Sequence, residues 1–294
     1  MARALVGEQP DAKVVRAGAA ATALGFWFVS LAPVIVASAE LHGVVIAFWR
    51  SWIGFLMFGA VVVARRQLSW SVVWRCAPAG ICFGASVGLF FWASQLTSIA
   101  NASLLTTLQP VVLLIAGVII FAERVNGTDL FWAGLAIAGA IVLVLAGGSE
   151  GTGDLKGDVL ATASVIIGAG YFIFGKRVLV TVGITSFMAG MFIWAGVLLG
   201  FAVLISGESI VASTQGDWVR VLAVAFGSGF GHYLLNYAQN KASLNLMGVI
   251  QLLVPVNATL MAFLFLDQSV RAFQVIGMAL VISALGIQTV RRSR

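Results

Sequence analysis

The chain has 294 residues, of which 61% are hydrophobic and only 10% are charged. A soluble domain carries roughly a quarter charged residues, so a large water-exposed fold is excluded. The net charge of +6 falls at the ends of apolar runs, which reads as membrane topology and leaves no nucleic-acid partner expected.

Apolar runs of about 18 residues or more each read as a membrane-crossing helix. In chain order they are predicted at 17–38, 43–64, 77–98, 103–122 and 129–147, then at 158–178, 185–206, 218–240, 243–266 and 272–290. The expected fold class is therefore an all-α integral membrane protein of ten transmembrane helices. The loops are too short for a soluble domain. A basic start and "ASA" at 37–39 imitate a signal peptide, but the apolar run is longer than an h-region, so it is expected to stay as a helix.

The charges set the orientation. With the N-terminus inside, the cytoplasmic side collects Arg3, Lys13, Arg16, Arg65, Arg66, Arg75, Arg124, Lys176, Arg177, Lys241, Arg291, Arg292 and Arg294. The outer side has Lys156, Arg220 and Arg271, and Arg50 lies inside the membrane. This positive-inside bias places both termini in the cytoplasm. Glu40, Glu150, Asp154, Asp158, Glu208, Asp217 and Asp267 lie near the outer face.

The chain repeats itself. A shift of 145 residues lays 84–110 over 229–255 without a gap, so that Gly84 meets Gly229, Trp92 meets Tyr237 and Pro110 meets Pro255. Glu123 falls on Gln268. Each half thus holds five helices, 17–147 and 158–290, between a cytoplasmic tail (1–16) and a short tail (291–294). The Gly-rich linker 148–157 is placed outside. An odd helix number makes the second half enter from the opposite face. The repeats are inverted, an architecture used for alternating access with the substrate held between the halves near mid-membrane.

Two five-helix copies, with "LLTTLQPVVLLIAGVIIFAE" and "GVIQLLVPVNATLMAFLFLDQ" in their fourth helices, resemble the paired EamA repeats of the drug/metabolite transporter superfamily. The Pro110-to-Glu123 spacing fits that family, whereas the second copy departs from it at Gln268. Within the superfamily the chain is most similar to YddG-type exporters of aromatic and other neutral amino acids. The resemblance implies a multi-pass transporter of the bacterial inner membrane. Exporters of other small metabolites or drugs share the fold and stand as the alternative.

On a helix, Gly229, His232, Asn236 and Gln239 share one face. Facing lipid, unpaired polar groups cost several kcal/mol, so this stripe faces protein or a wet cavity. Hydrogen bonding to neighbouring helices is the plainer use. The matching face of helix three, Gly84, Val87, Phe91 and Ser94, is mostly apolar, so a cavity between them suits a zwitterion with an apolar side chain. Gly80, Gly84 and Gly88 read as a packing seam.

Pro110 and Pro255 each remove a backbone hydrogen bond, freeing the carbonyls of Thr106 and Gln251. They can serve as static kinks, as gating points, or as a source of acceptors for an ammonium. Gln251 becomes a candidate ligand beside them.

Arg50 lies about eight residues, roughly 12 Å, inside helix two. It can meet a carboxylate or snorkel towards Glu40 and headgroups, and the sequence favours the structural use. Trp27 and Tyr171, in corresponding first helices, are the aromatic candidates for the cavity wall.

No mid-membrane acid, metal-ligand cluster or nucleophile–base set is found, so no enzyme activity, metal or cofactor is expected. His232 is the central group able to titrate near neutrality. Gradient-driven flow of an amino acid is expected, through a monomer in the lipid bilayer.

Overall fold

The chain breaks its apolar runs where proline or a polar cap requires it. The structure is a computed structural model that describes residues 12–67, 69–97, 102, 105–147, 154–211, 214–265 and 270–292. Arg3, Glu150, Asp267, Gln268, Arg294 and linker residues 148–153 lie outside the described residues. In chain order the helices are α1 (Ala12–Ser30), α2 (Ala32–Ala37), α3 (Gly43–Ala64), α4 (Trp70–Arg75), α5 (Ala77–Leu96), α6 (Gln109–Phe121) and α7 (Gly127–Gly147). The second half has α8 (Leu155–Leu179), α9 (Ile184–Ser206), α10 (Gln215–Gln239), α11 (Leu244–Gln251), α12 (Leu253–Phe265) and α13 (Ala272–Arg292). Among the described residues there is no strand.

Seven helical stretches are long and apolar enough to cross a membrane, and α6 and most of α13 are shorter apolar helices. Helix α10 has the length, at 25 residues, but its polar side chains lower its apolarity. The first, fourth and ninth predicted spans are each interrupted, at Leu31, at Thr107 and Leu108, and at Leu252. Pro33 and Pro255 sit in the first turn of the segments that follow, and Pro110 sits in the first turn of α6. In a first turn the missing N–H would have had no helical partner, so proline is tolerated there and the chain breaks just before it.

Packing follows the repeat. Helix α5 lies along α8, and α1 lies along α10, so the first helix of each half packs on the third helix of the other. Equivalent helices also pair with each other, α3 with α9 and α7 with α13, and α6 packs on α11, the other part of the opposite fourth span. Gly80, Gly84 and Gly88 form the seam between α5 and α9, where an added Cβ would lie 2.6 Å from the Met191 carbonyl, 2.8 Å from Ala195 Cα and 2.6 Å from Leu199. Small residues permit this approach. The outer surface is apolar: Ile119, Leu204 and Ile205 are each more than three-quarters exposed. Such a surface is stable against lipid and not against water.

Candidate functional site

A cavity lies where the two halves meet. Its walls come from α1, α2, α3, α5, α8 and α10, and from the two interrupted stretches around Gln109 and Gln251. Six pairs of lining residues stand 145 positions apart: Phe26 with Tyr171, Phe83 with Ser228, Val87 with His232, Phe90 with Leu235, Thr106 with Gln251, and Gln109 with Val254. The cavity therefore straddles the relation between the repeats. In half of the pairs one member is polar and the other apolar.

The aromatic part consists of Phe26, Phe83, Phe90, Phe91, Tyr171 and Phe172. At its deep end the Phe83 ring lies 5.2 Å from Tyr171 and 4.8 Å, edge-on, from His232. These rings are nearly fully buried, whereas Val87, Phe90 and Thr106 are partly accessible. The space thus widens towards the side where α2, α5 and the start of α8 end.

Arg50 is the charged side chain of this wall and is 1% exposed. Its Nε donates to Ser228 Oγ at 2.6 Å, and its guanidinium carbon sits 5.0 Å from the Phe83 ring centre and 5.9 Å from that of Phe91. Ser228 in turn donates to the Val224 carbonyl, which fixes its hydroxyl. Arg50 Nη1 is buried without a partner. Neither ion pair among the described residues, Lys176–Glu123 or Arg220–Asp217, includes it. A guanidinium buried in this way, with a donor unspent and no carboxylate partner among the described residues, keeps its charge uncompensated.

A second polar group lines the same cavity. Gln251 donates to Gln109, one helix from each repeat, and both side chains are over nine-tenths buried. Gln251 Oε1 has no partner. Beside the pair, Ser86 donates to the Ser164 carbonyl at 2.8 Å. Gly168 leaves room here, because an added Cβ would lie 2.7 Å from Ser86 Oγ and 3.0 Å from Gln109 Nε2.

Of the residues singled out in the sequence, Arg50, Phe91, Tyr171, His232 and Gln251 line the cavity. Asn236 and Gln239 continue the same face of α10 beyond the cavity floor. Asn236 Oδ1 accepts from Tyr171 Oη at 2.7 Å and from Gln239 Nε2 at 2.8 Å, while its Nδ2 approaches Met188 Sδ at 2.8 Å. Trp27 is half-buried and does not line the space, whereas its neighbour Phe26 does. One residue along a helix rotates a side chain by about 100°. Pro110 packs against Gly248 at the crossing of the two fourth helices, and neither it nor Pro255 reaches the cavity. Gln109 and Ser228 were not singled out in the sequence, although Gln109 adjoins Pro110 and Ser228 stands four residues before His232 on the same helical face.

Below the floor the two halves are joined by Glu123. Its carboxylate accepts from Lys176 Nζ at 2.8 Å and from the backbone N–H groups of Leu244 and Asn245 at 2.8 and 3.1 Å. It thus caps the N-terminus of α11 while pairing with α8.

Residues 15–145 and 155–289 each match the EamA-like transporter family. The chain belongs to that family. This EamA transporter is a multi-pass membrane protein, and its class moves small molecules across the bilayer. It is 26% identical over 254 residues to the aromatic amino acid exporter YddG of Ancylobacter novellus, covering 82% of this chain and 87% of the relative. A crystal structure of a protein with 21% identity superposes on it with a TM-score of 0.78, covering 96% of this chain and 99% of the other. That likeness concerns the fold.

Proposed function

We propose that this EamA transporter exports neutral amino acids with aromatic or apolar side chains. The observation that carries this reading is the buried, partly unpaired Arg50 guanidinium set in an aromatic wall. An anionic group satisfies its free donors, and the rings accept an apolar side chain. A cationic drug would meet the positive charge, which argues against that cargo. The exporter relative named above agrees with the amino-acid reading.

The cycle is alternating access. Ten helices in two inverted halves, 17–147 and 158–290 around the linker 148–157, place both tails (1–16 and 291–294) in the cytoplasm of a bacterium. The cavity then opens outward, and the Tyr171–Asn236 bond and the Glu123 junction close the inner side. The breaks before Pro110 and Pro255 let the halves rock about the site. His232, Asn236, Gln239, Gln251, Trp27, Tyr171 and Phe91 form or support the substrate path. A monomer suffices, since both halves of the cavity come from one chain. No carboxylate among the described residues lines the cavity, so flow follows the cargo gradient.

The test is flux of labelled phenylalanine, tryptophan, threonine and a sugar-nucleotide in proteoliposomes, with and without a pH gradient. Saturable amino-acid flux without a gradient is expected. Flux of the sugar-nucleotide alone contradicts the cargo, and flux only with a gradient contradicts the uncoupled mechanism.

A further inference from the structure

The structure assigns the Gln109–Gln251 pair as the pole that receives the cargo's ammonium group, which rests on the amino-acid reading above. A zwitterion leaving water must have both charges compensated, because an unpaired ion in a low-dielectric space carries a large penalty. Arg50, fixed by Ser228, serves the carboxylate. No acidic side chain among the described residues lines the cavity, so the ammonium is met by neutral oxygens.

Ser30, Ser94 and Ser164 of the wall each make a hydrogen bond already, donating to the carbonyls of Trp27, Phe91 and Ala161, so none of these groups is left without a partner. The amide pair differs. Two amides joined by a single N–H···O bond always leave one amide oxygen and one NH₂ turned away from each other, whichever residue donates. Here the outward oxygen is Gln251 Oε1, on a side chain 6% exposed and without a partner. An oxygen in that position is costly when empty and satisfied by a cationic donor.

The location supports the same role. Gln251 is the last residue of α11 before the break at Leu252, and Gln109 opens α6 immediately before Pro110. One amide comes from each repeat, so a ligand held there senses both halves. A cargo with an ammonium group would tie the two interrupted helices together, and a simple carboxylate would not. The pair therefore sets selectivity for amino acids over their des-amino analogues.

The experiment measures affinity of the purified full chain for L-phenylalanine and for 3-phenylpropanoate, which keeps the ring and carboxylate but lacks the amine. The wild-type protein should prefer phenylalanine by at least about tenfold, the size expected for a charge-assisted hydrogen bond. Gln109→Met with Gln251→Met should abolish that preference and leave 3-phenylpropanoate affinity within about twofold. Retained binding of 3-phenylpropanoate also reports that the variant is folded. If the paired variant keeps the preference for phenylalanine, the assignment is overturned.

Where the paired variant binds neither ligand, Gln251→Glu decides: a carboxylate facing the ammonium should raise phenethylamine affinity at least about fivefold, and no gain overturns the assignment. A wild-type protein that binds neither phenylalanine nor 3-phenylpropanoate removes the amino-acid reading itself, and the assignment with it.

Discussion

Tyr171 donates its phenolic hydrogen to Asn236 Oδ1 at 2.7 Å, and this bond forms the floor of the cavity. Asn236 also accepts from Gln239 and contacts Met188, so one fully buried amide serves three neighbours. Removing the amide strands the others, whereas removing the hydroxyl leaves Asn236 with Gln239. Hydrogen bonds between membrane helices contribute modestly, about 0.6 kcal/mol on average. Asn236→Ala is therefore expected to cost about 1–2 kcal/mol and Tyr171→Phe about 0.5 kcal/mol. Thermal unfolding in detergent, followed by tryptophan fluorescence, checks the order; a larger loss for Tyr171→Phe would contradict it.

Glu123 and Lys176 are unequal partners. Lysine makes one ion pair with a carboxylate that also holds two backbone N–H groups at the start of α11. Glu123→Ala deprives all three donors, while Lys176→Met leaves Glu123 with its two backbone contacts. We expect Glu123→Ala to destabilise by about 1–3 kcal/mol and Lys176→Met by about half as much, since both side chains are partly shielded from water. Equal losses in the same unfolding assay would show that the ion pair, rather than the helix cap, dominates.

Two glycines of α10 that are two residues apart should respond in opposite ways. A Cβ on Gly231 would lie 2.8 Å from the Gly25 carbonyl oxygen, a backbone atom that cannot move aside. A Cβ on Gly229 meets nothing within 4 Å. Gly231→Ala is expected to cost about 1–3 kcal/mol. Gly229→Ala should be neutral or stabilising by up to about 1 kcal/mol, because it restricts the unfolded chain. Expression and thermal midpoint distinguish the two.

His42 gives the fold a pH dependence outside the membrane spans. Its Nδ1 caps α3 by accepting from Val44 N–H at 3.2 Å, which requires the nitrogen to be unprotonated. Burial lowers its pKa from 6.5, with Glu208 opposing and Lys156 adding to the shift. The unfolded chain therefore binds the proton more readily. The contribution is complete above pH 6.5 and is lost as pH falls through the folded-state value. His42→Asn keeps a capping oxygen without the titration, so its thermal midpoint should fall less than the wild type's between pH 7 and about 5.

Much of the architecture was legible because apolar length and a gapless 145-residue repeat are properties of sequence alone. The helical breaks were half visible: Pro110 and Pro255 announce them, but a proline in a first turn and a proline in a kinked helix look the same in one dimension. The site was harder. The α10 face was readable at His232, yet where the cavity ends and buried bonding begins depends on Tyr171 meeting Asn236 across two helices. Trp27 and Phe26 differ by one step around a helix, which apolar periodicity in an all-apolar span does not resolve. Arg50 was the largest surprise. The sequence favoured an outward-snorkelling side chain, whereas the structure turns it inward onto Ser228 and Phe83.

The most direct test is transport of L-phenylalanine by wild type, Arg50→Lys and Arg50→Gln, reconstituted at equal protein density, with L-phenylalaninamide as the cargo lacking a carboxylate. Wild type should move phenylalanine in preference to the amide, Arg50→Lys should retain part of the flux, and Arg50→Gln should lose at least about tenfold for phenylalanine alone. Phenylalanine flux undiminished in Arg50→Gln would contradict the account, because the guanidinium would then play no part in holding the carboxylate.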